Sequence, residues 1–236
     1  MMAAWPVGLP LVRIWRYLMN LTQIRTELSN IIQDSSFGIE TLNGYINQSI
    51  LYAGANVDLP HLKGIGTAKT VVNQAYVSLT GLTGGFSGKL RKVKNSDGDP
   101  ISIYANLELL MDDYPTMAEE GDVEAVALEG STLWYQKIPT AAETLTFLYY
   151  RNPTTLSKKD DIPSDFPDHL HRHLFVHGAA WIAYDQIEDD EEDKKVNTKS
   201  QFWLSFDEDN KHSGITKLRE WIGKTRRHNI SSSWRV

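Results

Sequence analysis

Four short stretches decide the fold: LTQIRTEL at residues 21–28, IETLNGYINQSI at 39–50, TLTFLYY at 144–150 and IPSDFPDHL at 162–170. The first two place apolar residues at helical spacing, and the break between them predicts a helical hairpin. The third carries apolar or aromatic residues on both faces, which predicts a strand that is central in a sheet or lies at a subunit contact. The fourth precedes a return to helical spacing.

Residues 61–150 predict a region of short strands bounded by Gly, Asn and Asp. In the turn at residues 96–100, Gly98 supplies a positive φ and Pro100 ends the turn. Alternation on both sides of Glu129-Gly130-Ser131 predicts a β-hairpin. The remaining strands are predicted at residues 71–72, 76–79, 90–93 and 101–104, with a short helix or turn at 107–113.

The sequence predicts three helices after Asp165. They cover the segment that contains Leu170, Leu174 and Trp181, then residues 196–206, then residues 213–226. Between the first two lies DQIEDDEEDKK at residues 185–195, a charged run that solvates a helix end or a turn. The predicted class is therefore α+β: a helical bundle built from the N-terminal helical hairpin and long C-terminal helices, with an inserted antiparallel β region.

Three segments are predicted. Residues 1–18 form a flexible extension, and residues 228–236 form an extended tail. Between them, residues 19–227 form one domain, helical at 20–56 and 163–227 and β-rich at 61–150.

Residues 1–18 do not fit a signal peptide, because Arg13 and Arg16 follow the apolar stretch instead of preceding it. The stretch is also too short to span a bilayer. A flexible tail is the favoured interpretation, and a membrane-contacting or partner-docking segment is the alternative.

The composition excludes several chemistries. The chain contains no cysteine, so it has no disulfide, no thiolate metal site and no cysteine nucleophile. Its net charge of −6 gives no overall basic field for nucleic acid, and an acidic surface is compatible with a conduit to which DNA does not stick.

The densest set of metal-ligand side chains is His169, His171, His173 and His177. Three of them lie four residues apart on one helix face, a spacing that can bind zinc. A catalytic zinc site of the HExxH type needs a glutamate beside the first histidine, and this sequence has none. Exposed or interface histidines are the favoured interpretation.

Two further patterns resemble catalytic motifs. The glycine-rich stretch 81–89 lacks the first glycine of a phosphate-binding loop, and Leu90 follows Lys89 where Ser or Thr is required. Asp112-Asp113 and Glu119-Glu120 supply carboxylates of the kind that hydrolyse glycosides, although sequence does not give their separation. We therefore expect no catalytic residue and no cofactor.

A basic patch near the C-terminus contains Arg219, Lys224, Arg226 and Arg227, with Trp221 beside them. It fits docking on an acidic partner, a solvated face or contact with DNA phosphate. Docking is the favoured interpretation.

The order of these elements resembles the head-to-tail adaptor, or connector, proteins of tailed bacteriophages. The resemblance covers residues 20–227. It rests on YINQSI at 45–50, on Trp134-Tyr135 with Ile138-Pro139 and LTFLYY at 145–150, and on DDIP at 160–163 with Phe166-Pro167.

The resemblance implies a structural virion protein that forms a ring, typically twelvefold, beneath the portal. Such a ring extends the DNA channel, lets genomic DNA pass without sequence-specific binding, and docks a downstream tail, nozzle or stopper protein. The expected location is the head-tail junction of the virion, after assembly in the host cytoplasm, without stable membrane association. Portal docking is expected of Trp221, Arg226, Arg227, Ile230, Trp234 and Arg235, and subunit contact of Tyr149, Tyr150, His169 and His173.

Two rival functions come from other classes. One is an enzyme, either a tail-associated cell-wall hydrolase or an enzyme acting on nucleic acid. The other is a receptor-binding tail module.

Overall fold

The computed structural model describes residues 18–186 and 213–232, which form a mixed α/β fold with a seven-stranded curled sheet. The α-helices are α1 (Leu21–Ile32), α2 (Ile39–Asn56), α3 (Leu107–Asp113), α4 (His177–Gln186) and α5 (Gly214–Ser232). The strands are β1 (Lys63–Lys69), β2 (Tyr76–Ser78), β3 (Phe86–Lys94), β4 (Pro100–Tyr104), β5 (Ala125–Glu129), β6 (Thr132–Tyr135) and β7 (Thr144–Arg151).

The predicted N-terminal helical hairpin is confirmed. Asn20 starts α1 with a capping box, in which its side chain accepts from the Gln23 N–H and the Gln23 side chain accepts from the Asn20 N–H. Helix α1 ends at Gln33, which takes a left-handed conformation with φ of 54°. The faces predicted to be apolar are the buried ones, with Ile24, Leu28 and Ile46 fully inside.

The sheet has the strand order β1-β7-β3-β4-β5-β6-β2. The predicted β5–β6 hairpin is confirmed, with Glu129 paired to Thr132 and Gly130 at a positive φ of 60°. Strand β7 lies between β1 and β3, which confirms that TLTFLYY forms a central strand. The β region is not wholly antiparallel, because β4 and β5 pair in parallel through the crossover that contains α3.

Strand β1 was missed in the sequence because Gly64 and Gly66 lower its strand propensity. Both glycines face the ring of Tyr149 on β7. A Cβ atom on Gly64 would lie 2.9 Å from Tyr149 Cζ, and one on Gly66 would lie 2.7 Å from Leu82 Cδ2. Strand β1 therefore packs against the Tyr149 ring at positions where only glycine leaves enough space.

The prediction of a strand at residues 71–72 is wrong. Val71 and Val72 lie in a turn that continues through Asn73, whose φ of 65° reverses the chain. Both valines are more than two-fifths exposed, so no core selects an extended conformation there.

Two main cores are present. In the sheet core, side chains from β3, β4, β5, β6 and β7 meet inside the curl of the sheet, with Tyr135 and Phe147 fully buried. In the helical core, α1, α2, α4 and α5 pack together with Tyr150 and Phe166. Strand β7 contributes to both, since Tyr149 faces the sheet core and Tyr150 faces the helices.

The predicted helical bundle with long C-terminal helices is wrong. The sheet has a core of its own, and the helix expected from Asp165 is divided into a 3-10 turn at Asp168–Leu170, a π-helical turn at Arg172–Val176 and only then α4. The Ser49 hydroxyl of α2 donates to the Leu174 carbonyl, which takes part of the hydrogen-bonding capacity of that carbonyl from the helix. This bond from another helix lies within the π-helical turn.

Helix α5 continues to Ser232, so residues 228–232 are helical where an extended tail was predicted. The chain contains no proline or glycine between Lys224 and Ser232, and each added residue completes one more backbone bond. The helix predicted at residues 196–206, the extension at 1–17 and the last residues, 233–236, lie outside the described residues. Across the part of the chain that is described, no helix combines the length and apolar content needed to cross a membrane.

Replacement of Gly66 tests the contact between β1 and Tyr149. We expect Gly66→Ala to lower the free energy of unfolding by about 1–3 kcal/mol, because the new methyl group overlaps Leu82 and Tyr149. The control is Gly44→Ala inside α2, where an added Cβ meets no atom within 4 Å and should stabilise by about 0.5–1 kcal/mol. Denaturant unfolding measures both, and equal effects would contradict the contact.

Candidate functional site

The helices and the sheet meet at charged side chains around Asp58. Lys89 Nζ lies 3.2 Å from Asp58 Oδ1 and donates to the Ala55 carbonyl at 2.6 Å, and Arg91 pairs with the second carboxylate oxygen. The Arg91 guanidinium also lies 5.5 Å from the ring centroid of Tyr150. Burial lowers the pKa of Lys89. These contacts fix β3 against the end of α2.

The glycine-rich stretch forms part of the loop between β2 and β3 and the first residues of β3. Gly84, Gly85 and Gly88 all have positive φ values, between 75° and 80°. Lys89 lies in β3 and is engaged by Asp58, so the stretch does not have the strand-loop-helix context of a phosphate-binding loop.

The loop after β7 is held against the N-terminal helices by two side chains. Asn47 of α2 donates to the Leu156 carbonyl at 3.0 Å and accepts from the Leu156 N–H at 2.8 Å. Asp161 accepts two backbone N–H groups, from Ser157 and Lys158, which lower the pKa of its carboxyl group. The Asp161 carbonyl in turn accepts from the Leu21 N–H at the start of α1. The residues that carried the resemblance thus close one hydrogen-bonded unit.

A second ion pair fixes the end of β7. Arg151 Nη2 donates to Asp165 Oδ1 at 2.6 Å, and the Thr154 N–H donates to Asp165 Oδ2 at 2.8 Å. Burial alone would raise the pKa of Asp165, but the hydrogen bonds from Arg151 and Thr154 outweigh it, and the pKa lies below its usual value. The carboxylate is engaged in positioning the chain.

The four histidines occupy different environments. His169 is exposed, while His171 is fully buried with Nε2 3.2 Å from the Phe166 carbonyl. His173 and His177 lie with their ring centroids 5.5 Å apart. Burial, reinforced by His173, lowers the pKa of His177 to about 4, and burial also lowers the pKa values of His171 and His173. The described residues contain no group of three or more ligands that holds a metal.

The carboxylates considered for glycoside hydrolysis belong to local structure. Asp113 accepts from the Tyr104 hydroxyl at 2.7 Å, a bond that raises the pKa of Tyr104 to about 12. Glu119 accepts from the Thr116 hydroxyl at 3.0 Å, and Asp112 and Glu120 are exposed. The structure shows no carboxylate pairing between these two segments.

A separate cleft of about 680 Å³ lies at one end of the sheet. Five carboxylates line it, and Glu143 among them accepts from the Ser96 N–H at 2.9 Å. The other four belong to Asp97, Asp99, Asp122 and Glu124. No lysine or arginine lines the cleft, so it presents a strongly negative surface.

Of the residues expected at a subunit contact, two are inside the subunit. Tyr149 is 1% exposed and donates to the Thr83 carbonyl at 2.8 Å, and Tyr150 is 3% exposed. His169 is exposed and His173 is half-buried, so these two remain the surface positions of the set.

The residues expected to dock on the portal lie in or beyond α5. Trp221 is half-buried, with its ring centroid 6.2 Å from that of His61. Arg226, Arg227 and Ile230 lie on the helix backbone, but their side chains are outside the described structure, as are Trp234 and Arg235 altogether. In the same basic patch, Arg219 donates to the Asn56 carbonyl at 3.3 Å.

Sequence reasoning missed two exposed apolar patches. The β1 patch is the surface around Ile65, which is 76% exposed. The α3 patch is the exposed surface of α3, where Leu109 and Met111 lie on either side of the buried Leu110. The signal for the second patch was present: three successive apolar residues in a short helix cannot all face one sheet.

A sequence model of the SU10 adaptor protein family matches residues 19–227. The chain therefore belongs to this family, which makes it a structural adaptor protein of a bacteriophage and a component of the virion. The match confirms the resemblance at the level of a phage adaptor. A comparison with curated proteins finds no match.

Replacement of Asn47 tests the bond between α2 and the loop after β7. Asn47→Ala leaves the Leu156 N–H and carbonyl without their partner, so we expect the free energy of unfolding to fall by about 1–3 kcal/mol. Gln48→Ala, at the exposed neighbouring position, should change it by less than about 0.5 kcal/mol. Denaturant unfolding compares the two variants, and equal small effects would show that the bond contributes nothing.

The histidines predict an acid-sensitive fold. Because the pKa of His177 is about 4 when folded and about 6.5 when unfolded, its contribution is present above pH 6.5 and is lost as the pH falls towards 4. We expect His177→Gln to flatten the fall in unfolding free energy over this range, whereas His169→Gln at the exposed position should not. Unfolding curves at a series of pH values give the slopes, and parallel slopes for wild type and His177→Gln would refute the assignment.

Proposed function

We propose that this SU10-family adaptor is a head-to-tail adaptor that forms a closed ring, of twelve subunits, beneath the portal. The ring extends the DNA channel and docks the next tail component, a nozzle or stopper protein. Family membership supports this proposal for residues 19–227.

One observation carries the ring: among the described residues, apolar side chains are exposed at two unlike places on the sheet region, Ile65 on β1 and Leu109 with Met111 on α3. The β1 patch lies at one edge of the strand order, whereas α3 packs on β4 and β5. Contact between two unlike patches on successive copies is heterologous, or head-to-tail. Such a contact gives a ring when the rotation between neighbouring subunits brings the last copy back to the first. A single self-complementary patch would favour a two-fold dimer.

The charge distribution supports passage of DNA without binding in the channel. The chain carries a net charge of −6, and the acidic cleft has no compensating basic residue in its lining. Such surfaces repel the phosphate backbone. The portal contact in this proposal is made by α5 and the residues after it, which include Trp221, Arg226, Arg227, Ile230, Trp234 and Arg235. Trp and Arg are common at the centres of interfaces.

The polar groups also favour assembly over catalysis. The carboxylates and cations with defined partners, Asp58, Asp161, Asp165, Lys89 and Arg151, hold elements of the fold together.

The mass of the purified protein, alone and with portal particles, tests the ring. We expect one discrete closed oligomer by sedimentation or native mass measurement, either spontaneously or once portal templates it. Ile65→Asp should weaken this oligomer, because it places a charge in the β1 patch. Thr80→Asp at an exposed loop position is the matched control. A two-fold dimer as the assembled form would overturn the proposal.

A further inference from the structure

Half of the outer face of the sheet carries four lysines without carboxylates among them. Directly paired residues point to the same face of a sheet, so the register places Lys63, Ile65, Thr67 and Lys69 of β1 beside Tyr150, Leu148, Thr146 and Thr144 of β7. Lys92 and Lys94 of β3 pair with Leu148 and Thr146, on the same face. We call Lys63, Lys69, Lys92 and Lys94 the lysine face.

The helices cover the end of this face beside Lys63, since Tyr150 packs among them, but Lys63, Ile65, Thr67, Lys69 and Lys92 are exposed. Helix α3 packs on β4 and β5, and Ile65 in the middle of the face is 76% exposed. None of the four lysines forms an ion pair with a described residue, whereas Lys89 and Arg91 on the same strand β3 are both paired with Asp58.

Protection of a free sheet edge does not account for these charges. Lysines on an edge strand discourage uncontrolled strand pairing, which explains Lys63 and Lys69. Lys92 and Lys94 lie on β3, an interior strand between β7 and β4, where no edge needs protection. The charges form a two-dimensional patch of about 20 Å along β1 and about 10 Å across to β3.

The chain contains a matching polyanion. Residues 188–193 read EDDEED, six successive carboxylates, and follow α4. Extended, six residues span about 20 Å, the length of the lysine face. The overall charge of −6 disfavours DNA as the occupant, because the whole protein repels a polyanion of that size, while a short acidic segment contacts the lysine face alone.

The far part of the lysine face, around Lys69 and Lys94, lies beyond the reach of the acidic segment of its own subunit. Helix α4 ends beside the end of α1, where the Tyr184 hydroxyl donates to the Ile31 carbonyl at 3.1 Å. The sheet begins at the opposite end of α2, whose 18 residues span about 27 Å. Lys69 lies about 20 Å farther along the strands, and Lys94, which is level with Thr67, lies about 13 Å farther. Residue 193 is seven residues beyond Gln186, a reach of at most about 25 Å.

We propose that the lysine face binds the acidic segment, residues 188–193, of a neighbouring copy of this chain. The inference rests on the proposed ring, in which each subunit offers its lysine face to one neighbour and its acidic segment to the other. Exposed ion pairs are individually weak and are screened by salt, so this contact acts through several pairs at once.

A binding measurement tests the contact without requiring a ring. The probe is a fluorescent peptide of residues 185–195, and the control peptide has amides in place of its acidic side chains. We expect full-length protein to bind the acidic peptide at low salt, and Lys92→Glu/Lys94→Glu to bind it at least about tenfold more weakly. Lys158→Glu/Lys159→Glu makes the same charge change at exposed positions away from the lysine face and should bind like wild type.

Charge exchange tests the contact in the assembly. Lys92→Glu/Lys94→Glu and Asp189→Lys/Asp190→Lys should each shift assembly to about tenfold higher protein concentration, and the protein that carries all four changes should recover. A carbodiimide cross-link between isotopically labelled and unlabelled copies should join the lysine face of one copy to residues 188–193 of another. Lys92→Arg/Lys94→Arg keeps assembly but removes the cross-link at those positions, because arginine does not react.

The outcomes separate this inference from the proposed ring. A ring that forms normally from the charge-reversed protein, or cross-links only within one copy, overturns the inference and leaves the ring intact. A wild-type protein that binds the peptide but forms no ring, even with portal, overturns the proposed function. If a 30-base-pair duplex displaces the peptide and binds more tightly through Lys92 and Lys94, the lysine face is a DNA contact and the inference is wrong.

Discussion

The structure depends on one constraint: strand β7 must serve two cores at once. Phe147 and Tyr149 fill the curl of the sheet, while Tyr150, the next residue, packs among the helices. Successive residues of a strand point to opposite faces, so a change of register by one residue would empty both cores together. Arg151 then anchors the end of the strand through Asp165. A few residues at the end of β7 therefore determine how the helices are positioned against the sheet.

The parts of the fold that could be predicted are those with local causes. The apolar faces of α1 and α2 and the turn at Gly130 depend on residues close together in the sequence, and each is found where the sequence placed it. Strand β1 has no such signal, because Gly64 and Gly66 are explained only by the Tyr149 ring across the sheet. The division of the helix after Asp165 has a distant cause as well, the hydroxyl of Ser49 in another helix.

Two of the residues expected at a subunit contact lie inside the subunit, for a related reason. Aromatic residues such as Tyr149 and Tyr150 are typical of both interfaces and cores, and sequence does not distinguish the two before the register of β7 is known. Some of the residues that carried the family resemblance stabilise the fold. Asn47 and Asp161, for example, join the loop after β7 to the two N-terminal helices. The exposed surfaces of Ile65 and Met111 carried no recognisable motif.

In the proposed ring, subunits have to assemble without error and then hold a channel of defined width. Apolar patches such as that of β1 supply attraction but little orientation, because burial of apolar area is not directional. The charges on the lysine face add direction: they favour an approach that brings a negative segment opposite the patch and oppose an approach that brings two lysine faces together. Weak, salt-screened pairs also allow a wrongly placed subunit to leave before neighbouring contacts close around it. The ion pairs of Asp58 with Lys89 and Arg91 join the sheet to the helices, so in the proposed ring a contact made by the sheet also sets the position of the helices.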